Sequence, residues 1–354
     1  DVYKRQDWSG IFGVEDTGNC SNPAIAVTPD GVAHIVYQRD GANLYYKNGR
    51  YGGWSGAQFL GAGSLPSLVS DSFYLHLAFA EGGSVFYRRR NPTTGAWITS
   101  LAVFSAVGNT SYSNPSICLD SSSKIYIACR KVRVTGTATY SIVMKISSDN
   151  GASWSNEITL YSGTTANAYP KIVAEGSSYI HTVYSNGITV WYILYDISSG
   201  TFGTPVNISL STATSNEPDI TIDSLNKKVW VVWQESRNGP PPNYDIIYSV
   251  QARSGSGGSW DSPETVFSSF EGAQEPKITV AGGKPCSVWK KASFFTYSDI
   301  YYSFRGVVWE GGALTSGSTN SKNPDITSGP GALFHTVWVT DNGTGSYKLR
   351  YAVK

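Results

Sequence analysis

The chain has 354 residues, a formal net charge of +1 and only 15% charged residues, so no long-range field draws it to nucleic acid or to an anionic membrane. No apolar run reaches the roughly eighteen residues needed to cross a bilayer, and no charged-then-apolar leader stands at the N-terminus, which predicts a soluble chain already free of any leader. The 37 Gly, 23 Tyr and 11 Trp beside a single Met fit short strands and tight turns and predict almost no helix.

In chain order, the opening DVYKRQ matches nothing later, and residues 1–6 are expected to be non-native. Trp8-Ser9-Gly10 follows as a tryptophan segment with no strand ahead of it. Then comes Asn22–Tyr37, NPAIAVTPDGVAHIVY, an alternating run after a proline, a turn, and a second alternating run ending on an aromatic residue. This pattern recurs seven times. Its anchors are Pro23, Pro66, Pro115, Pro170, Pro218, Pro276 and Pro324, spaced by 43, 49, 55, 48, 58 and 48 residues.

Each copy opens with a strand a of period two after the proline. A turn leads to strand b, which ends in Tyr37, Phe79, Cys129, Tyr184, Trp233, Trp289 or Trp338. Strand c carries an aromatic motif such as LYY (44–46), VWY (190–192) or IYY (300–302), with Met144 as the exception. A Gly-containing turn then delivers Trp54, Trp97, Trp154, Phe202, Trp260 or Trp309 at the head of strand d.

Four strands every 43 to 58 residues predict an all-β, seven-bladed β-propeller of four-stranded antiparallel blades. The seventh copy stops at Lys354 after strand c. The segment around Trp8 is therefore expected to complete the last blade and close the ring, making residues 1–354 one domain and leaving no open sheet edge.

The four cysteines, Cys20, Cys118, Cys129 and Cys286, are widely spaced without a CxxC pair, which argues against zinc and against a dithiol motif; buried thiols are expected. A tight turn near Ser122 pairs Cys118 with Tyr126 rather than with Cys129. His34, His76, His181 and His335 fall in one column of the repeat, so rotation about the ring axis separates them. A packing role is expected, with no metal and no cofactor. Asp16-Thr17-Gly18 spells an aspartic-protease triplet without a second copy and is read as coincidence.

Ser147-Ser148-Asp149-Asn150-Gly151-Ala152-Ser153-Trp154 resembles the Asp-box, S-x-D-x-G-x-x-W, of the sialidase-like (bacterial neuraminidase repeat) superfamily. The spacing suits a turn in which Asp149 accepts backbone N–H groups, Gly151 takes positive φ and Trp154 plugs the sheet. The resemblance implies a structural box, made by Ser147, Asp149, Gly151 and Trp154, on the face away from the active site, and a secreted or cell-surface location. Sialidases hold the substrate carboxylate with three arginines, the first in an Arg-Ile-Pro motif, which this chain lacks. Ulvan lyases also resemble the repeat, but no residue of theirs is carried over.

In a propeller the d-to-a connections and b-to-c loops open on one face around the channel mouth, and there the seven copies stop agreeing. The residue after each proline reads Ala24, Ser67, Ser116, Lys171, Asp219, Lys277 and Asp325. With Arg39, Arg130, Glu235, Arg237 and Lys290 from the b-to-c loops, Lys171, Asp219, Lys277 and Asp325 are the candidate ligand-binding residues, because charge-assisted hydrogen bonds suit polyhydroxylated or anionic sugars. The long b-to-c loop Gln234–Tyr244, stiffened by three prolines, projects on the same face.

The leading reading is an extracellular module that recognises a carbohydrate or a surface protein through this mouth. The rival is a polysaccharide lyase or glycoside hydrolase at the same place, with Asp219, Glu235 and Glu275 as candidate catalytic carboxylates. A structural module of a surface assembly is the third.

Overall fold

The computed structural model describes residues 8–91, 93–166, 168–210, 212–236, 244–252, 259–269, 271–292, 297–316, 319–341 and 343–354. Residues 1–6, Arg237 and most of the proline-stiffened loop lie outside them. The described residues contain no α-helix, only a three-residue 3₁₀ turn at Pro330–Ala332 and thirty short strands.

Period-two sequence becomes antiparallel ladder in every repeat copy. Strands a are Cys20–Val27, Ser64–Ser70, Thr110–Leu119, Ala168–Glu175, Ser215–Asp223, Ala273–Ala281 and Asn320–Gly329. Each pairs with its own strand b, and each b with its own c, without a crossover. The b strands, such as Ala33–Arg39, Leu75–Glu81 and Lys228–Glu235, are buried along nearly their whole length. Both faces of strand b are covered, which explains why those stretches read as almost continuously apolar rather than alternating.

The strands form six hydrogen-bonded sheets. Five hold four or five strands each, and the sixth holds eight, because the sixth and seventh copies are bridged by a parallel pairing of Ser298 with Asn320. Ser298 Oγ donates to Ser321 O at 2.7 Å beside that bridge. The strand Phe12–Glu15 pairs with Lys348–Val353, Phe12 opposite Tyr351, and Ser9 exchanges hydrogen bonds with Val353.

Each strand a packs on strand a of the next copy, and the last packs on the first. The apolar core lies between neighbouring sheets. Ala26, Val36, Leu44 and Tyr46 of the first copy meet Leu75, Leu77 and Phe79 of the second. The interface of the last copy with the first is built the same way, from Val337, Val339, Leu349 and Tyr351 against Cys20, Ile25, Ile35 and Tyr37.

The tryptophans lock these interfaces. Trp97 meets Tyr46 edge-on at 5.4 Å, Trp154 meets Tyr87 at 5.4 Å, Trp260 meets Tyr192 at 4.9 Å, Trp309 meets Tyr248 at 5.3 Å and Trp54 meets Tyr351 at 5.1 Å. Each tryptophan thus caps the strand-c tyrosine of the preceding copy. Trp8 stands in the same relation to Tyr302, edge-on at 5.5 Å. Met144 replaces the tyrosine in the third copy, and the residue that would cap it, Phe202, is 46% exposed. Trp97, Trp154 and Trp260 precede their fourth strands rather than heading them, since the chain leaves the ladder to plug the interface.

The histidines share this role. His34, His76, His181 and His335 bring Nδ1 to the hydroxyls of Tyr46, Tyr87, Tyr192 and Tyr351 at 2.6–2.8 Å. Burial pulls His34, His181 and His335 down to about 4, so they are neutral packing groups. The four cysteines are free and buried, and Cys118 lies opposite Tyr126.

The stretch Ser147–Trp154 forms the tight turn its spacing implied. Ser147 Oγ donates to Asp149 Oδ1 (2.8 Å) and accepts from Gly151 N (2.9 Å), while Ser153 N donates to Asp149 Oδ1 (2.9 Å). The Ser153 hydroxyl also donates to Asp149 Oδ2 (2.5 Å), and this bond, followed by those from Ser153 N and Ser147 Oγ, holds the Asp149 carboxyl down at about 2. Gly151 has φ +81° against Tyr87 of the preceding copy, so the turn docks one sheet on the next.

Candidate functional site

At one end of the ring axis six of the seven strand-a prolines surround a cavity of about 590 Å³, lined by residues of all seven copies. Its shape comes from one backbone irregularity repeated seven times. In each strand a, register advances three residues while strand b advances two, between Ser21 and Ala24, Ser64 and Ser67, Ser113 and Ser116, Ala168 and Lys171, Asn216 and Asp219, Gln274 and Lys277, and Lys322 and Asp325. This is a β-bulge, which re-aims a side chain and bends the strand.

The residue before the proline takes the strain. Asn22, Leu65, Asn114, Tyr169, Glu217, Glu275 and Asn323 all have φ between +43° and +58°, a region that Asn tolerates and that costs other L-residues about 1–2 kcal/mol. All seven line the cavity. Two buried glutamines hold the bulges. Gln38 Oε1 accepts from Asn22 Nδ2 (2.8 Å) and Leu65 N (3.0 Å), and Gln234 Oε1 accepts from Glu275 N (2.9 Å).

The residue after the proline forms a second ring, deeper in the channel, that stitches neighbouring copies together. Ser67 Oγ accepts from Ile117 N (3.2 Å), Ser116 Oγ from Ile172 N (3.1 Å), Asp219 Oδ2 from Ile278 N (2.8 Å) and Asp325 Oδ2 from Ile25 N (3.0 Å). Lys171 and Lys277 occupy the same position in the fourth and sixth copies, and an ammonium cannot accept such a bond. Lys277 Nζ donates to Pro276 O at 3.2 Å.

Charge in the channel is crowded and poorly hydrated. Burial, opposed by Lys171, raises the Asp325 carboxyl to about 6. Burial and then the neighbouring Lys277 push the Lys171 ammonium below its ordinary range. Burial also raises the Glu217 carboxyl, with Lys277 opposing and Glu275 reinforcing. The lining carries four carboxylates, Glu217, Asp219, Glu275 and Asp325, against two ammonium groups, a formal charge of −2.

The other expected residues lie elsewhere. Glu235 is fully buried, accepting from Ser215 Oγ (2.8 Å) and Trp233 Nε1 (2.9 Å). Arg39 lies over the Tyr45 ring and pairs with buried Glu15 at 3.4 Å. Arg130 lies over Tyr140 at 5.2 Å. Lys290 does not line the cavity and lies 4.0 Å from Glu275 Oε1. Of the three candidate carboxylates, Asp219 and Glu275 share the cavity and Glu235 does not line it.

The ring of interlocked sheets, with first strands facing an axial cavity, decides the architecture. The fold is that of the β-propellers. Solved structures align over nearly the whole chain. A protein of unknown function from Dyadobacter fermentans matches with a TM-score of 0.58 and 9% identity, over 98% of each chain. The α-L-arabinanase of Penicillium chrysogenum, complexed with arabinobiose, matches with a TM-score of 0.54 and 12% identity, again over 98% of each. A mutant of the NanB sialidase of Streptococcus pneumoniae gives 0.53 and 14%, over 97% of this chain and 70% of that one. No protein-family model matches the sequence, and no curated protein does. At these identities the likeness to sialidase and arabinanase propellers is one of fold.

Sequence reasoning places Glu217, Gln38 and Gln234 at the mouth without giving them a role, and passes over Tyr169. The signal for Tyr169 and Glu217 lies in the column before the proline, where a left-handed residue is invisible until the bulge is seen. The unusual length of the third copy's hairpin, Ile125–Thr135 paired with Thr137–Ser147, was likewise hidden in an apolar run that continues into Arg130-Lys131-Val132.

Proposed function

We propose that this propeller recognises glycans through the axial cavity, with Tyr169, Lys171, Asp219, Glu275, Lys277 and Asp325 contacting the sugar. The observation that carries the reading is the concave, polar cavity of about 590 Å³, of a size to enclose one or two sugar rings. Tyr169, 41% exposed, offers a ring face beside it, and carboxylates and ammonium groups supply hydrogen bonds to hydroxyls. The surplus of carboxylates favours neutral over acidic saccharides.

We read the eight-stranded sheet as two blades joined at Ser298–Asn320, which makes seven blades and one domain. The N-terminal strand then completes the seventh, a reading supported by the Phe12–Tyr351 pairing and by Trp8 on Tyr302. Ser147–Trp154 is then a structural Asp-box on the opposite face. We place the protein outside the cell or at its surface, where polysaccharide is met; none of the described helices is long and apolar enough to cross a membrane.

Titration calorimetry against neutral and acidic oligosaccharides tests this. Lys277→Met and Tyr169→Ala should each weaken binding at least about tenfold, the effect of losing one charge-assisted or stacking contact. A chain that binds no saccharide, or whose binding neither variant alters, refutes the reading.

A further inference from the structure

Glu217 and Glu275 hold the same bulge position in consecutive copies, both with left-handed backbone (φ +50° and +58°) and both lining the cavity. Their surroundings differ. Glu275 Oε2 accepts from the backbone N–H of Asn323 (2.6 Å) and from its Nδ2 (3.3 Å), and Oε1 lies 4.0 Å from Lys290 Nζ. Glu217 is held more weakly: the donor facing its carboxyl is the Glu275 peptide N–H, which also donates to Gln234 Oε1 (2.9 Å). Two neighbouring carboxyl groups, one anchored by the Asn323 backbone and side-chain amides and one facing a single backbone N–H that it shares with Gln234, are the arrangement that divides acid from base.

We propose that the cavity cleaves the glycan it binds, with Glu217 as the proton donor and Glu275 as the base that activates water. The proposal rests on glycan recognition at this mouth. Glu217 gives its carboxyl proton to the glycosidic oxygen as the bond from that oxygen to the anomeric carbon breaks and the alcohol leaves. Water adds its oxygen to the anomeric carbon, and its proton passes to Glu275 Oε1, the oxygen not held by Asn323. Proton exchange with solvent returns Glu217 to the acid and Glu275 to the anion. The sum is one saccharide and one water giving two saccharides. Tyr169, Lys277, Glu275 and Lys290 are the titratable groups facing Glu217. Burial raises its carboxyl, with Lys277 opposing and the Glu275 charge reinforcing, a direction that suits a proton donor.

The test uses the whole chain with arabinan, galactan, xylan and β-glucan, following binding by calorimetry and cleavage by release of reducing ends. A second arm uses 4-nitrophenyl and 2,4-dinitrophenyl glycosides of the sugar released. Glu217→Gln should still bind, should slow polysaccharide cleavage about 10²–10⁴-fold, and should leave the dinitrophenyl glycoside, whose leaving group needs no proton, nearly unaffected. The basic limb of the rate profile should disappear with it. Glu275→Gln should slow every substrate. A wild-type chain that binds a polysaccharide and releases no reducing ends overturns the acid–base pair and leaves glycan recognition standing. Binding to none of the four overturns both. A Glu217→Gln that slows both aryl glycosides equally overturns the proton-donor role.

Discussion

Replacing Gly151 by Ala tests whether the Ser147–Trp154 turn is a docking device between neighbouring sheets. Gly151 sits at φ +81°, and a Cβ there would lie 2.0 Å from Tyr87 Cε1 and 2.6 Å from its Cζ. The left-handed backbone alone costs an L-residue about 1–2 kcal/mol. Tyr87 is fully buried, bonded to His76 Nδ1 at 2.8 Å and edge-on to Trp154, so it has nowhere to go. Displacing it forfeits a buried hydrogen bond worth about 1 kcal/mol and an aromatic pair worth about 0.5–1.5 kcal/mol. The total is about 3–4 kcal/mol. Gly31 supplies the control, since it has φ +83° and no atom within 4 Å of an added Cβ. Gly31→Ala should therefore cost only the backbone part, about 1–2 kcal/mol. Urea denaturation of the two variants, followed by tryptophan fluorescence, measures the difference. Equal destabilisation would show that the turn does not bear on Tyr87 and would refute the docking argument.

Acid should loosen the ring before it protonates ordinary carboxylates. The folded pKa of His34, His181 and His335 is about 4, below the unfolded 6.5. Between those values the unfolded chain binds more protons, so stability falls as pH falls through this window, by at most roughly 3 kcal/mol per histidine. A urea midpoint unchanged between pH 7 and pH 5 would contradict this. Gln38→Ala removes the acceptor shared by Asn22 and Leu65 N and should cost about 1–3 kcal/mol in the same assay; a neutral result would show that the bulges hold themselves. Trp8→Ala should cost about 2–3 kcal/mol, less than a fully buried tryptophan, and a loss near zero would mean that the N-terminal segment does not lock the ring.

Much of the architecture was legible because it is written seven times. Proline anchors, period-two runs and recurrent tryptophans survive substitution in any single copy, and the exceptions proved coupled: Met144 and Phe202 depart from the pattern at the same interface. The site was legible only as a region. Residues flanking the prolines gather at the mouth as the repeat implied, but chain position could not say which of them reach it. Glu235 and Arg39 both stand two places beyond strand b's last aromatic residue, and both turn to partners within or between the sheets. Glu217 needed the bulge to be seen, because without it the period of two would have pointed the side chain along the wall. The −2 charge of the lining also depended on knowing which ions share the cavity.

The left-handed residue before each proline bears on how such a ring changes over generations. A ring of duplicated units begins with seven identical groups around the axis, a rotationally symmetric mouth suited to little beyond an axial ion or water. The side chain at that position borders the cavity rather than the space between sheets, and its backbone angle is imposed by the bulge and its neighbours. It can therefore be exchanged without repacking the sheets. Asn, Leu, Asn, Tyr, Glu, Glu and Asn stand at this position in the seven copies, dividing the rim into an amide and aliphatic arc and an aromatic and acidic one. The position whose backbone is most narrowly fixed is the one whose chemistry is freest to diverge.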